Sequence, residues 1–231
     1  MENDNPILEL DLYLFRHGQS CGNAGYDKED LTLKEMNDPY LTEKGLDQAD
    51  KVGKYMSEVE FDAVYSSALI RAVQTSAGIM KHQQNEKEIN LLPALCELSI
   101  DPEYKGVPLE ELREIYPLIQ MAPDLPPDEP MVYHNEYHDE EGMYERAEKT
   151  IEYIRSHHTS GEKVAVVAHA GFLTFFVFSL MGFKKNCPLF DIAFENTSVS
   201  RISIYKHGTN KYGDIIFRVI NDTAHLKDGR Y

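Results

Sequence analysis

Arg16 and His17 stand directly after an apolar run at residues 10–15, and His169 directly follows another at 163–168. Arg71 falls in the early turns of a helical pattern that follows a third run, 61–65. Two guanidinium groups and two imidazoles are side chains suited to holding a tetrahedral dianion, with backbone N–H groups at nearby helix N-termini adding to the grip. Taken singly, each residue has a plainer explanation. An Arg-His-Gly triplet arises by chance, a strand-end histidine commonly hydrogen-bonds within a core, and an early-helix arginine commonly faces solvent. The coincidence carries the argument: four groups of one chemical type recur at equivalent positions in a chain with 23 Lys and Arg against 39 Asp and Glu, net charge −16. Such a surface repels anions at long range, so an anion site has to be a local basic exception.

Strand and helix patterns alternate, as in an α/β fold with a central, largely parallel sheet between two helical layers. In such sheets ligands bind outside the carboxyl ends of the strands, where all three loops open onto one crevice. A helix begins after Thr42, a suitable N-cap, and carries Leu46, Ala49, Val52, Gly53 and Met56 on one face. Ser66 and Ser67 are placed to cap the next helix, which carries Leu69, Ala72, Val73, Ser76, Ala77 and Met80. Residues 21–39 read as a long loop. Eight of the eleven prolines fall between Pro93 and Pro130, which excludes a regular sheet or long helix there apart from a short helix over 109–116. Residues 99–140 therefore read as an excursion from the core, a lid or rim over the site, with a disordered acidic loop as the alternative. Helical periodicity returns over 143–157 and 172–181, and β-rich segments close the chain at 198–205 and 215–220. One domain spanning 1–231 accommodates all of this.

Composition narrows the partners. The acidic balance argues against nucleic acid and anionic lipid, and no apolar run approaches the length of a membrane span. The polar, acidic N-terminus is unlike a secretory signal. Cys21, Cys96 and Cys187 are an odd count without metal-type spacing, which points to reduced thiols and a cytoplasmic setting. His134 and His138, with Asp139, Glu140 and Glu141 beside them, are the one grouping that suggests a metal, on a segment with weak helical character. The expectation is no metal and no cofactor. Oligomeric state is not legible.

Leu14-Phe15-Arg16-His17-Gly18-Gln19-Ser20 with Asn23 resembles the signature of the histidine phosphatase superfamily, the phosphoglycerate mutase-like family. Further motifs follow in the family's order: Asp38-Pro39-Tyr40-Leu41-Thr42-Glu43-Lys44-Gly45, Tyr65 to Ser76 with Arg71, Leu95-Cys96-Glu97-Leu98 with Gly106, Val167-Ala168-His169-Ala170-Gly171, and Glu195-Asn196-Thr197-Ser198. The resemblance implies that His17 attacks phosphorus and carries the phosphoryl group. It implies that Arg16, Arg71 and His169 hold the non-bridging oxygens, with Asn23 and Ala170 lining the same pocket. Glu97 would protonate the leaving alcohol and then activate water, with Asp101 as the alternative carboxylate.

Family resemblance leaves the reaction open among a phosphomonoesterase, a cofactor-dependent mutase and a non-catalytic module that senses phosphate compounds. The mutases carry a Gly-Trp pair after the nucleophile and basic residues in the excursion. This chain has no tryptophan, its loop reads Ala24-Gly25-Tyr26-Asp27-Lys28-Glu29-Asp30, and residues 99–140 hold only Lys105 and Arg113 as Lys or Arg. Those features favour a metal-independent phosphatase acting on a small phosphorylated substrate, and an intact nucleophile argues against a mere sensor.

Overall fold

The structure, a computed structural model, describes residues 5–25, 31–98, 100–126, 128–132, 140–184 and 191–227. Seven strands form one sheet in the order β4-β3-β2-β5-β1-β6-β7. They are β1 (Leu8–Arg16), β2 (Ala63–Ser66), β3 (Ile89–Leu91), β4 (Ile119–Met121), β5 (Glu162–Ala168), β6 (Val199–Tyr205) and β7 (Ile215–Asp222). The pairings from β4 through β1 are parallel, and only those of β6 with its two neighbours are antiparallel. The helices are α1 (Leu33–Asn37), α2 (Glu43–Tyr55), α3 (Ile70–Met80), α4 (Leu109–Ile115), α5 (Glu140–His157) and α6 (Ala170–Leu180).

Alternation along the strands makes the three layers. Tyr13 and Phe15 of β1, Val64 of β2 and Val167 of β5 pack against Val52 of α2, Val73 and Ile79 of α3, and Leu112 of α4. Leu10, Leu12 and Leu14 face the other way, with Val164 and Val166, onto Ile154 of α5 and Phe172, Phe176 and Val177 of α6. Each such side chain, fully buried, contributes on the order of 1.5–3 kcal/mol of transfer free energy. The central strands are apolar on both faces because helices cover both.

Three local expectations are corrected. The 21–39 segment contains α1, held by a reciprocal cap in which Thr32 and Glu35 each bond the other's backbone N–H. The proline-rich stretch does enter the sheet, but only as β4, a three-residue edge strand parallel to β3 and bounded by Pro117 and Pro123. Helix α3 starts at Ile70 and takes no side-chain cap from its N-cap residue, Leu69. Asp38, distant in sequence, accepts from the Ile70 N–H at 2.7 Å instead, and the Ser67 hydroxyl points to His169.

Candidate active site

Sheet register brings the basic residues together. The pairing of β1 with β5 sets Arg16 opposite Ala168, and the His17 N–H donates to the Ala168 carbonyl at 3.0 Å. Both chains therefore leave the sheet side by side, and the rings of His17 and His169 lie 5.0 Å apart at 57°. On the other side of β5, β2 ends at Ser66, and the Ser67 hydroxyl lies 2.8 Å from Nε2 of His169.

The loop after His17 is pinned by close backbone contact. A Cβ on Gly45 would come within 2.0 Å of the Gln19 carbonyl oxygen, and one on Gly18 within 2.6 Å of the Gly45 carbonyl oxygen. Only glycines allow this approach of loop to α2. The Gly18 N–H also donates to Thr75 Oγ1, whose own hydroxyl donates to the Arg71 carbonyl on α3. The loop and the arginine helix are thereby coupled.

A cavity of about 590 Å³ opens above these groups, lined by Arg16, His17, Asn23, Arg71 and Glu97 among others. Nδ1 of the buried His17 lies 2.7 Å from the Gly18 carbonyl oxygen. A carbonyl only accepts, so Nδ1 carries the proton and Nε2 keeps its lone pair. Burial, then the Arg71 charge, push the His17 pKa well below the ordinary histidine value, so the ring is neutral. Burial and Arg71 do the same to His169, which is wholly buried and has no hydrogen-bond partner at Nδ1 among the described residues.

Arg71 Nη1 donates to the Asn37 carbonyl at 3.0 Å and lies 3.7 Å from Asp38. Arg16 Nη1 donates to the Phe194 carbonyl at 2.6 Å, and its Nε is buried with no such partner among the described residues. Asn23 Oδ1 accepts from the Ser20 N–H and from Asn196 Nδ2. Glu97 accepts from Phe172 N–H at 3.1 Å and Gly171 N–H at 3.4 Å, at the start of α6. The same helix whose N-cap is His169 therefore holds Glu97 as well.

Three expected members do not line this cavity, the first being His169, which is wholly buried beside the His17 ring. Ala170 opens α6 and lines, with Arg16, a neighbouring cavity of about 510 Å³ that does not include His17. Asp101 is exposed and accepts from the Glu103 N–H, so it closes a local turn and does not line the cavity. The described part of 99–140 also contributes no wall residue. It braces α1 from behind: Glu111 pairs with Lys34, the Asp101 N–H donates to Asn37 Oδ1, and the Tyr104 hydroxyl donates to Asp38. His134, His138, Asp139 and Cys187, with residues 26–30, lie outside the described residues. Among the described residues no three His, Cys, Asp or Glu side chains group as metal ligands, and no helix is long and apolar enough to cross a membrane.

Comparison with known proteins adds the family. The fructose-2,6-bisphosphatase TIGAR of Xenopus laevis is 38% identical over 104 residues, 44% of this chain and 36% of that protein. A 2,3-bisphosphoglycerate-dependent phosphoglycerate mutase of Bartonella henselae is 36% identical over 114 residues, 46% of this chain and 50% of that one. The aligned stretches thus span half or less of these relatives. Among solved structures, the phosphoserine phosphatase of Entamoeba histolytica superposes with a TM-score of 0.61 at 20% identity, covering 94% of this chain and 100% of that one, a likeness of fold. The pattern of the histidine phosphatase superfamily (branch 1) matches residues 12–212, a span that includes Arg16, His17, Arg71, Glu97 and His169, and the chain belongs to that superfamily.

Proposed function

We propose that the protein is a phosphomonoester hydrolase working through a phosphohistidine at His17. The observation that carries this reading is the contact from His17 Nδ1 to the Gly18 carbonyl, which leaves Nε2 unprotonated at a cavity lined by two arginines. Nε2 attacks phosphorus, the P–O bond to the alcohol breaks, and Glu97 supplies the proton that the departing oxygen takes up. Water then attacks the phosphorus of the P–N bond while the Glu97 carboxylate removes its proton, returning neutral His17 and inorganic phosphate. Arg16 and Arg71 stabilise the equatorial oxygens through both steps, which is most of what phosphoryl transfer requires. On this reading His169, whose ring lies 5.0 Å from that of His17, adds a further donor to the phosphoryl oxygens.

On this reading the fixed guanidinium charges stand where other phosphatases place a metal ion, and the chemistry is of the histidine acid phosphatase type. The odd count of three cysteines, without paired spacing, agrees with a reducing, cytoplasmic setting. The test is rapid quench with a labelled phosphomonoester. An acid-labile, alkali-stable phosphoprotein should form, vanish in His17→Ala, and form equally after exhaustive chelation. Label retained in the variant would remove His17 as nucleophile, and isomerisation of a monophosphoglycerate faster than phosphate release would identify a mutase.

A further inference from the structure

Part of the cavity wall is built by α1 and the residues flanking it: Leu31, Glu35, Met36, Pro39 and Tyr40. Met36 and Tyr40 are 55% and 45% exposed, large apolar groups left open to solvent inside a concave site. Exposed apolar surface in a concavity marks the part of a ligand it receives. Beside them the Glu35 carboxylate is fixed through Oε2, which accepts from both the N–H and the hydroxyl of Thr32. These hydrogen bonds hold its pKa below the ordinary carboxylate value, so it is charged at neutral pH. Lys34, the neighbouring cation on α1, is engaged by Glu111 and stacks over the Tyr40 ring. The two cations lining the cavity among the described residues are Arg16 and Arg71, whose charges both act on His17 and which one phosphoryl group at His17 occupies; Arg71 is also tied to the Asn37 carbonyl at the end of α1.

Resting on the phosphatase reading above, we infer that the α1 wall selects monophosphate esters of uncharged, apolar alcohols. Met36 and Tyr40 receive the alcohol, and Glu35 repels a second phosphate or carboxylate. The relatives named for bisphosphates and bisphosphoglycerate act on ligands with more negative charge than this wall accommodates, so the proposal separates this chain from them in substrate class. The α1 wall is also held rigid from outside by Glu111, Asp101 and Tyr104, so its composition is presented in a fixed place.

The experiment compares 3-phenylpropyl phosphate with 1,3-propanediol bisphosphate, both primary-alcohol esters, so leaving-group chemistry is matched and only the far end differs. Released phosphate gives kcat/KM for each. The phenylpropyl ester should be preferred by about tenfold or more, the worth of roughly 1.4 kcal/mol. Glu35→Gln, which keeps the helix cap because Gln serves equally at that position, should raise kcat/KM for the bisphosphate by about two- to fivefold, the size of one partly screened charge interaction. Met36→Ala with Tyr40→Ala should raise KM for the phenylpropyl ester more than it lowers kcat. Equal or better use of the bisphosphate, or a preference indifferent to Glu35→Gln, overturns the assignment. Failure of both esters to label His17 or release phosphate instead brings down the phosphatase reading, and the substrate class with it.

Discussion

Glu97 Oε1 accepts a hydrogen bond from the Phe172 backbone N–H at 3.1 Å, which ties the proposed proton donor to the first turn of the helix that His169 caps. A general acid matters only when the departing oxygen is basic enough to need a proton. Glu97→Gln preserves an acceptor for that N–H but has no proton to give. It should slow phosphorylation of His17 by an alkyl phosphate by roughly 10²–10⁴-fold, while leaving that step nearly unchanged with a nitrophenyl ester. Phosphoenzyme should then accumulate with the nitrophenyl ester, because the base for the second step is also gone. Single-turnover rates on both esters check this, and equal losses would make Glu97 a positioning residue.

Gly171 supplies the room for that contact. A Cβ there would lie 2.7 Å from Glu97 Oε1 and 3.0 Å from Leu98 Cδ1. Gly171→Ala should therefore displace the carboxylate while the helix, which favours Ala over Gly by about 1 kcal/mol, stays folded. Its kinetic signature should copy Glu97→Gln, with alkyl esters slowed and nitrophenyl esters spared in the first step. A melting temperature close to that of the parent with unchanged alkyl-ester kinetics would show that Glu97 has room to spare.

The cationic half of the site was legible because it is local. Arg16 ends β1, and His17 and His169 follow the ends of β1 and β5; parallel pairing of those strands is enough to gather them. The other half depends on contacts with no local signal. Asp38 caps a helix 32 residues away, Ser67 meets His169 across 102 residues, and Glu97 finds α6 across 75. Strands β3 and β4 have three residues each, too short for an alternation to register. Helix α1 had a readable sign in Thr32-x-x-Glu35, the spacing of a reciprocal cap, but its five residues give no helical period.

The protonation of His17 has a direct consequence in solution. Its pKa is lowered by burial and by Arg71, with the Gly18 hydrogen bond opposing only in part. The ring should stay neutral, protonated on Nδ1 and bare on Nε2, from pH 8 down through 6.5. Because the folded value lies below the unfolded 6.5, burial of the neutral ring contributes stability above that pH and loses it as the solution acidifies. Nitrogen-15 NMR of the imidazole reads both the tautomer and the titration. A midpoint at or above 6.5, or a proton on Nε2, would contradict the nucleophile assignment.

Asp38 should titrate with the opposite sign. It is fully buried between the Ile70 N–H, the Tyr104 hydroxyl and the Arg71 guanidinium, and its pKa is raised from 3.8 to about 6, chiefly by desolvation. The Arg71 and Lys34 charges and the two hydrogen bonds pull it down, but burial wins. Between about pH 4 and 6 the folded chain therefore holds a proton that the unfolded chain releases. The associated stability is complete below 3.8 and drains away as pH rises through about 6. A gap of about two pKa units corresponds to about 3 kcal/mol at neutral pH. Asn in this place still accepts from Ile70, can donate to the Tyr104 oxygen, and stays neutral at every pH. Denaturant unfolding of Asp38→Asn and the parent should then give a stability difference that grows by about 3 kcal/mol in the variant's favour between pH 4 and 7. A difference that stays flat over that range would mean that Arg71, although 3.7 Å away, compensates the buried carboxylate fully, and that Asp38 is ionised throughout.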